Sequence, residues 1–248
     1  MKLSIVIPVY NEGDSIEKVI RVLEAFVRMD HELVIVYDFD DDDDCPVVRS
    51  LQGEFPAARL HKNEFGRGVV NAIRSGFKAA RGDYVCLFTG DCTDQPEAIP
   101  KMVDLMDRGY DLVSGSRYIR GGVKYGGPWL QTQFSYWGNI LFQRFTGLPL
   151  HDITYSFKLY RREVLQTCAP KYDAGWVVSL DLGIQAALRG YRMAEIPTMW
   201  IDRQIGESKF QMQRWLPIYL KLFFSGVRQL RRWRKENGDI WGTPHYKS

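Results

Sequence analysis

The sequence is poor in cysteine, and its few cysteines are scattered. The four in the 248-residue chain are Cys45, Cys86, Cys92 and Cys168, and no two of them have the C-x-x-C spacing of a redox or zinc motif. This pattern favours reduced thiols in a cytoplasmic protein over a disulfide framework or a cysteine-bound metal.

The sequence also lacks a long apolar run. About 18 consecutive apolar residues are needed to cross a bilayer, and the longest candidate, residues 216–227, is interrupted by Pro217 and Lys221. The chain enters an apolar strand pattern directly after Met1, without the apolar core and cleavage site of a signal peptide. If this protein meets a membrane, we expect it to lie on the surface.

A strong net charge is absent as well. The formal net charge is only +3, so nothing in the overall composition indicates a nucleic-acid partner. The charges are unevenly placed, with acidic residues clustered at 38–44 and basic residues clustered after 227. The apolar fraction of 45% is that of an ordinary globular protein with a sizeable core.

Short apolar runs alternate with segments of helical periodicity. Leu3 to Val9 and Leu33 to Tyr37 are typical of strands buried on both faces, and a capping box of Asp14 and Glu17 predicts a helix between them. Further strands are predicted at 59–61, 83–88, 111–114, 157–160 and 193–196, with helices near 69–80, 96–106, 131–145 and 180–189. This alternation predicts an α/β domain with a mostly parallel sheet and helices on both faces.

The C-terminal residues, 211–248, form a distinct segment. Apolar residues recur at helical spacing from Leu216 to Leu230. The basic residues on the other side and at the end are Lys221, Arg228, Arg231, Arg232, Arg234 and Lys235. A basic amphipathic helix of this kind, rich in Trp and Phe, is typical of a membrane interface. A helix that packs on the domain or docks a partner is the alternative.

Acidic turns follow three of the predicted strands. Glu12 follows the first strand, the run 38–44 follows the second, and Asp91 and Asp94 follow the fourth. Because ligands of open parallel sheets bind at the carboxyl ends of the strands, we expect these turns to meet in one pocket. Crowded carboxylates need a counter-charge, which Mg²⁺ or Mn²⁺ with a phosphorylated ligand would supply.

The case for a functional role differs among these acidic residues. Asp91 directly follows a buried strand beside Gly90, where backbone and ligand can approach closely, and this favours a functional role. Asp94 stands two residues before Pro96, so a cap of the next helix explains it as well as ligand binding does. Asp41 to Asp43 are best explained as a solvated loop, since charge runs seldom have a structural partner.

Four segments resemble known motifs. Ser4 to Glu12 (SIVIPVYNE) is similar to the opening motif of family-2 glycosyltransferases, and Gly115 to Arg117 follows a strand as it does in that family. His151 to Phe157 (HDITYSF) is similar to the family's D-x-T-x-x-F segment. Arg203 to Phe210 (RQIGESKF) resembles the R-x-x-G-x-S-K signature of polyprenyl-phosphate sugar transferases such as the dolichol-phosphate mannose synthases.

This resemblance implies a fold, a cofactor and roles for the matching residues. The fold is a Rossmann-like GT-A catalytic domain over residues 1–210, with 211–248 as a membrane-interface segment, and the cofactor is Mg²⁺ or Mn²⁺. The resemblance implies that the base and ribose are bound by Pro8, Tyr10, Glu12 and Asp38, and that Ser208 also contributes to cofactor binding. It implies metal binding by Asp91 with Asp94, and an acceptor-side position for Asp152. The phosphate contacts would come from Arg117, Arg203 and Lys209. Asp91, Asp152, Arg203 and Lys209 would form the catalytic set.

Two positions depart from the family pattern. Thr89 stands where the first acid of the D-x-D motif is expected, so metal binding depends on Asp91 with Asp94 or a neighbouring oxygen. Tyr37 to Asp40 replaces the D-D-G-S that usually follows the second strand, which leaves guanine and uracil as alternatives for the base. For Arg117, pairing with a structural carboxylate is the alternative to a phosphate contact.

We therefore expect an inverting hexosyl transfer from a nucleotide sugar to a polyprenyl phosphate at the cytoplasmic face of a membrane. GDP-mannose is the first expected donor and UDP-glucose the second. The alternatives are a glycosyltransferase with a soluble or glycan acceptor and, because of Thr89, a non-catalytic sugar-nucleotide-binding scaffold. A sugar-phosphate nucleotidyltransferase would need a Gly-rich, basic loop where Tyr10 to Glu12 stands. A homo-oligomer or a separate membrane partner is left open.

Overall fold

The computed structural model describes residues 1–202 and 212–242. Within them the strands are β1 (Leu3–Pro8), β2 (His31–Tyr37), β3 (Ala58–Lys62), β4 (Tyr84–Leu87), β5 (Leu112–Ser116), β6 (Val123–Tyr125), β7 (Lys158–Arg161), β8 (Met193–Pro197) and β9 (Met199–Ile201). The helices are α1 (Gly13–Phe26), α2 (Asp44–Leu51), α3 (Val69–Ala79), α4 (Ala98–Asp107), α5 (Trp129–Thr146), α6 (Arg162–Thr167), α7 (Val178–Leu188) and α8 (Met212–Asn237).

One mixed sheet organises this part of the chain, with its described strands in the order β3-β2-β1-β4-β7-β5-β8. All of them run parallel except β7, which is antiparallel to both of its neighbours, β4 and β5. β6 and β9 pair in a separate parallel ribbon. The prediction of a mostly parallel α/β sheet is confirmed.

Helices cover both faces of the sheet because successive strand residues point to opposite sides. Ile5 and Ile7 of β1 pack in a core with α1, α2 and α4. Val6, between them, packs in a second core with α3 and α7. All three side chains are fully buried, which explains why β1 is a continuous apolar run rather than an alternating one.

α8 packs onto the domain through part of its apolar side. Leu222 and Leu230 are buried in the core that contains α7, and α8 contacts both α5 and α7. Beyond the helix, Trp241 is fully buried, stacks on Trp233 and donates a hydrogen bond to the Ala187 carbonyl oxygen at 2.8 Å. The packing helix that the sequence left as an alternative is therefore observed, while the domain division at residue 210 stays a prediction.

Across residues 1–202 and 212–242, none of the helices has both the length and the apolar character that crossing a bilayer requires.

Candidate active site

The carboxyl ends of β1, β2 and β4 meet at one edge of the sheet, as predicted, because these strands are adjacent and parallel. Tyr10, after β1, is 49% exposed and its ring meets that of the partly exposed Phe39, with the centroids 5.5 Å apart. The Arg67 guanidinium lies 5.2 Å from the Phe39 centroid. Two accessible rings and a cation form a surface on which a planar base can stack.

Asp38, directly after β2, holds the loop that carries Arg67. Its carboxylate accepts hydrogen bonds from Asn63 Nδ2 at 2.7 Å and from the Gly68 backbone amide at 2.8 Å. Gly68 has a φ of 121°, which residues with a Cβ rarely adopt, so the loop geometry depends on this glycine. Sequence reasoning placed Asp38 near the base but missed Arg67, although its position between two glycines was an available signal.

The aspartate run after β2 is only partly the solvated loop that the sequence predicts. Asp41 and Asp43 are exposed, but Asp42 and Asp44 have exposures of 1% and 0%. All three carboxylates at 42–44 accept hydrogen bonds from backbone amides at the start of α1: Asp42 from Asn11, Asp44 from Glu12 and Asp43 from Gly13. These contacts hold the run against α1, with Asp42 and Asp44 on the inner side. The prediction is wrong for Asp42.

The loop after β4 carries two carboxylates in different surroundings. Asp91 is partly exposed, and its Oδ1 accepts a hydrogen bond from Thr93 Oγ1 at 2.7 Å. Asp94 is buried, and its two oxygens accept hydrogen bonds from Thr89 Oγ1, at 2.8 Å, and from the Tyr155 hydroxyl. Burial raises the pKa of Asp94 to about 6, and the charge of Asp91 adds to this shift.

Asp94 does not cap the following helix. α4 begins at Ala98, and Glu97 occupies its N-cap position. The Asp94 oxygens face side-chain hydroxyls instead, so the capping explanation is wrong. Thr89, which replaces the first acid of the D-x-D motif, is one of the donors, and therefore supports Asp94 rather than adding a carboxylate.

A buried ion pair lies at the carboxyl end of β5. Arg117 Nε and Nη2 donate to the two Asp152 carboxylate oxygens at 2.7 and 2.9 Å, and the Arg117 backbone amide adds a third bond at 3.0 Å. Asp152 is fully buried and the Arg117 side chain is 10% exposed. Burial alone would lower the pKa of Arg117, but Asp152 raises it above its ordinary value. The alternative that the sequence left open for Arg117, pairing with a structural carboxylate, is therefore observed, and the partner is Asp152.

Tyr155 connects this ion pair to Asp94. Its ring centroid lies 4.4 Å from the Arg117 guanidinium carbon, and its hydroxyl donates to Asp94. Because β7 is antiparallel to β4 and β5, the segment before it reaches the edge at which those strands end. We call Asp94, Tyr155, Arg117 and Asp152 the edge network.

Lys158, at the start of β7, supports the turn that carries Tyr155. Its ammonium group is fully buried and donates to the backbone carbonyl oxygens of Ile153, at 3.0 Å, and of Tyr155. Burial lowers the pKa of Lys158 to about 7. Sequence reasoning missed both Tyr155 and Lys158, and the only available signal was that they lie in or beside the HDITYSF motif.

Tyr155→Phe is expected to lower the free energy of unfolding by about 1–3 kcal/mol, because a buried Asp94 oxygen loses its donor while the ring contact with Arg117 is kept. Chemical denaturation measures this change. Tyr118→Phe is the matched control, since Tyr118 also lies over Arg117 but its partly buried hydroxyl donates to Ser135. We expect a smaller loss there, and equal losses would contradict the importance of the Asp94 contact.

Three residues of the predicted site, Arg203, Ser208 and Lys209, lie outside the described residues. The chain before them runs along the loop after β4. Trp200 forms a β-bridge with Asp94, and the Ile201 amide donates to the Thr93 carbonyl oxygen at 3.2 Å. The described chain therefore leads to residue 202 beside the predicted metal site.

A family model matches the part of the chain that contains this edge. The model for glycosyl transferase family 2 matches residues 4–168, which include the turns after β1, β2 and β4 and the whole edge network. The chain belongs to glycosyl transferase family 2. The family that SIVIPVYNE and HDITYSF predict is confirmed.

Two relatives of this family-2 chain are named as sugar transferases. It is 28% identical over 244 residues to a dolichol-phosphate mannosyltransferase of Pyrococcus furiosus, covering 97% of this chain and 66% of that protein. It is 29% identical over 219 residues to an undecaprenyl-phosphate 4-deoxy-4-formamido-L-arabinose transferase of Klebsiella pneumoniae, covering 86% and 64%. The chain thus spans about two thirds of the length of the curated relatives it matches.

Solved structures confirm the GT-A fold. The glucosyl-3-phosphoglycerate synthase of Mycobacterium tuberculosis in complex with UDP matches with a TM-score of 0.69 at 19% identity, covering 92% of this chain and 80% of that chain. Its complex with Mn²⁺, UDP and glucosyl-3-phosphoglycerate matches with a TM-score of 0.64 at 18% identity, covering 99% and 81%. At this identity the likeness establishes the fold alone.

The oxygen atoms after β4 fit the metal ion that the family implies. Asp91 and Thr93 offer carboxylate and hydroxyl oxygens, the hard donors that suit Mg²⁺ and Mn²⁺. The charge of Asp91 contributes to the raised pKa of Asp94, so negative charge is concentrated at this point of the edge. The residues present are therefore chemically suited to a hard divalent cation.

Proposed function

We propose that this family-2 chain catalyses the inverting transfer of a hexosyl group from a nucleotide sugar to a polyprenyl phosphate. GDP-mannose is the first proposed donor and UDP-glucose the second. The names of both relatives contain a polyprenyl phosphate, dolichol phosphate in one and undecaprenyl phosphate in the other, which supports this class of acceptor.

The observation that carries the proposal is an exposed apolar stripe on α5. Its members recur at helical spacing and are 41–56% exposed: Leu130, Phe134, Trp137, Leu141 and Phe145. Another side of α5 touches the edge network, where Ser135 Oγ accepts a hydrogen bond from Arg117 at 3.3 Å. A large exposed apolar patch marks an interaction site. The α5 stripe thus gives the site an apolar neighbour suited to a lipid-linked acceptor.

The same surface supports a peripheral position on a membrane, for which we propose the cytoplasmic face. α8 packs beside α5 and adds the exposed Leu220 and Phe224, with the exposed cations Lys221 and Arg228 on the same helix. Apolar and basic side chains in this combination bind the interface of anionic bilayers. The sequence assigned this contact to the C-terminal helix alone, whereas we propose that α5 and α8 share it.

Replacing Phe134 and Trp137 together by serine is expected to weaken binding to phosphatidylserine-containing vesicles at least about tenfold, since each large apolar side chain that leaves water contributes about 1.5–3 kcal/mol. Vesicle flotation measures the effect. The matched control replaces Val22 and Phe26 of α1, which are 40% and 42% exposed, by serine and should leave binding unchanged. Equal binding by the two double variants would rule out the α5 stripe as the membrane surface.

The geometry suits an anionic acceptor better than a hydroxyl acceptor. A hydroxyl needs a positioned base, whereas a phosphate monoester, with a second pKa of about 6, is already anionic at neutral pH. Asp152 is fully buried and held by Arg117, so we assign it the positioning of Arg117 rather than proton abstraction. The implied Mg²⁺ or Mn²⁺, held by Asp91, would neutralise charge on the leaving diphosphate.

We assign the acceptor phosphate to Arg203 and Lys209, as the R-x-x-G-x-S-K signature implies. Arginine binds phosphate through paired donors and lysine through a point charge.

The test is a transfer assay with radiolabelled nucleotide sugars, polyprenyl phosphate and either Mg²⁺ or Mn²⁺. We expect label in the organic phase with one of the donors, GDP-mannose first. Label that appears only on a water-soluble acceptor would favour the soluble-acceptor alternative. Nucleotide-sugar binding without transfer to any acceptor would favour the scaffold alternative.

A further inference from the structure

Asp42, Asp43 and Asp44 crowd three carboxylates together at the start of α1. One oxygen from each lies within 4.8 Å of the others. Among the ion pairs of the described residues, none involves any of the three. The cluster is therefore without a side-chain counter-charge in the described part of the chain.

The innermost carboxylate, that of Asp44, is incompletely satisfied. It is fully buried, and its Oδ2 accepts a hydrogen bond from the Glu12 backbone amide at 3.0 Å. Its Oδ1 is buried and has no hydrogen-bond donor among the described residues. Burial raises the pKa of Asp44 to about 8, and a hydrogen bond with the Asp42 carboxyl group adds to this shift. This shift favours a proton on Asp44 at neutral pH, and a cation bound at Oδ1 would take the place of that proton.

Backbone groups compensate only part of the negative charge. α1 begins at Gly13 and α2 begins at Asp44, beside the three carboxylates. Each helix N-terminus is equivalent to roughly half a positive charge, so the two together offset about one of the three negative charges that the cluster carries when all of its carboxylates are ionised. A divalent cation that displaces the proton of Asp44 would offset the remaining charge.

We propose that Asp42, Asp43 and Asp44 bind a hard divalent cation at a site separate from the one expected at Asp91. Because Ca²⁺–oxygen distances are about 2.3–2.6 Å, oxygens on opposite sides of one ion stand up to about 5 Å apart, which accommodates the observed spacing. The exposed Asp43 gives the ion access from solvent, and Asp44 Oδ1 is the inner ligand. The bound ion stabilises the turn that leads from Tyr10 into α1.

The experiment measures thermal unfolding in the Asp91→Asn background, so that the expected donor-site metal does not contribute. The protein is treated with chelator and then titrated with Ca²⁺ alone or Mg²⁺ alone, without nucleotide sugar. At a hundredfold excess of cation over the dissociation constant, we expect Tm to rise by about 5–10 °C. Isothermal titration calorimetry on the same samples gives the stoichiometry.

Two further substitutions decide the outcome. Asp44→Asn keeps an oxygen for the Glu12 amide but removes the inner charge, so the cation-dependent rise should disappear while Tm in chelator stays equal or increases. Asp43→Asn should weaken the rise, and Asp41→Asn, an exposed neighbour outside the cluster, should leave it intact. No rise with either cation in the background protein, or an equal rise in the Asp44→Asn variant, would overturn the proposal. Neither result depends on whether hexosyl transfer is found.

Discussion

Asp91→Asn is expected to reduce hexosyl transfer by about a thousandfold while the fold stays intact. The acidic position usually found before Asp91 in the D-x-D motif is Thr89, whose hydroxyl donates to Asp94, so ligation of the donor-site metal is concentrated on Asp91. Loss of Lewis-acid stabilisation costs several kcal/mol, and each 1.4 kcal/mol is about tenfold in rate. Asparagine can still accept the hydrogen bond from Thr93, so the loop should keep its conformation.

The measurement is the initial rate of label transfer at saturating Mg²⁺ or Mn²⁺, together with Tm. Asp104→Asn, an exposed carboxylate of α4, is the control and should match the wild type in both. Because Asp91 is partly exposed, its substitution should change the free energy of unfolding by no more than about 0.5 kcal/mol. Wild-type turnover in the Asp91→Asn variant would remove this residue from the mechanism.

Asp152→Asn is expected to lower the free energy of unfolding by about 3–5 kcal/mol, because it leaves the Arg117 guanidinium buried without its counter-charge. The carboxylate accepts three hydrogen bonds from Arg117, and its own exposure is zero. Chemical denaturation measures the loss. The control is Asp111→Asn, whose ion pair with Arg161 is 22–28% exposed and is expected to contribute about 1 kcal/mol or less.

The same variant separates the two classes of acceptor, if enough of it folds for kinetics. If Asp152 only positions Arg117, we expect the variant to have a lower rate with polyprenyl phosphate but a pH–rate profile of unchanged shape. If the acid limb disappears and the rate falls to background, Asp152 is a general base. A hydroxyl acceptor would then explain the site better.

The fold was predictable where the signal is local. Leu33 to Val36 is buried on both faces, and its continuous apolar, mostly β-branched pattern predicts this burial. The direction of β7 was not predictable, because it depends on pairing with strands far along the chain, as in Cys86 opposite Leu159. That direction brings the HDITYSF segment to the edge where the predicted site residues lie.

The start of α1 also depends on contacts between distant segments, which the sequence does not reveal. The capping box of Asp14 and Glu17 predicted the helix correctly but placed its start too late, since α1 begins at Gly13. The Gly13 amide donates to Asp43, 30 positions away, and the run that contains Asp43 also starts α2, a helix that the sequence did not predict. A charge run has no periodicity from which such a partner can be inferred.

By itself the sequence determined the family, the type of sheet and the position of Asp91 at its carboxyl edge, because motifs and periodicity are contained in short segments. Only the tertiary structure decided that Arg117 pairs with Asp152, 35 positions away, and that Tyr155 donates to Asp94, 61 positions away. It alone decided that Asp42 is buried. Contacts and burial of this kind arise when distant segments pack together, so no local pattern encodes them.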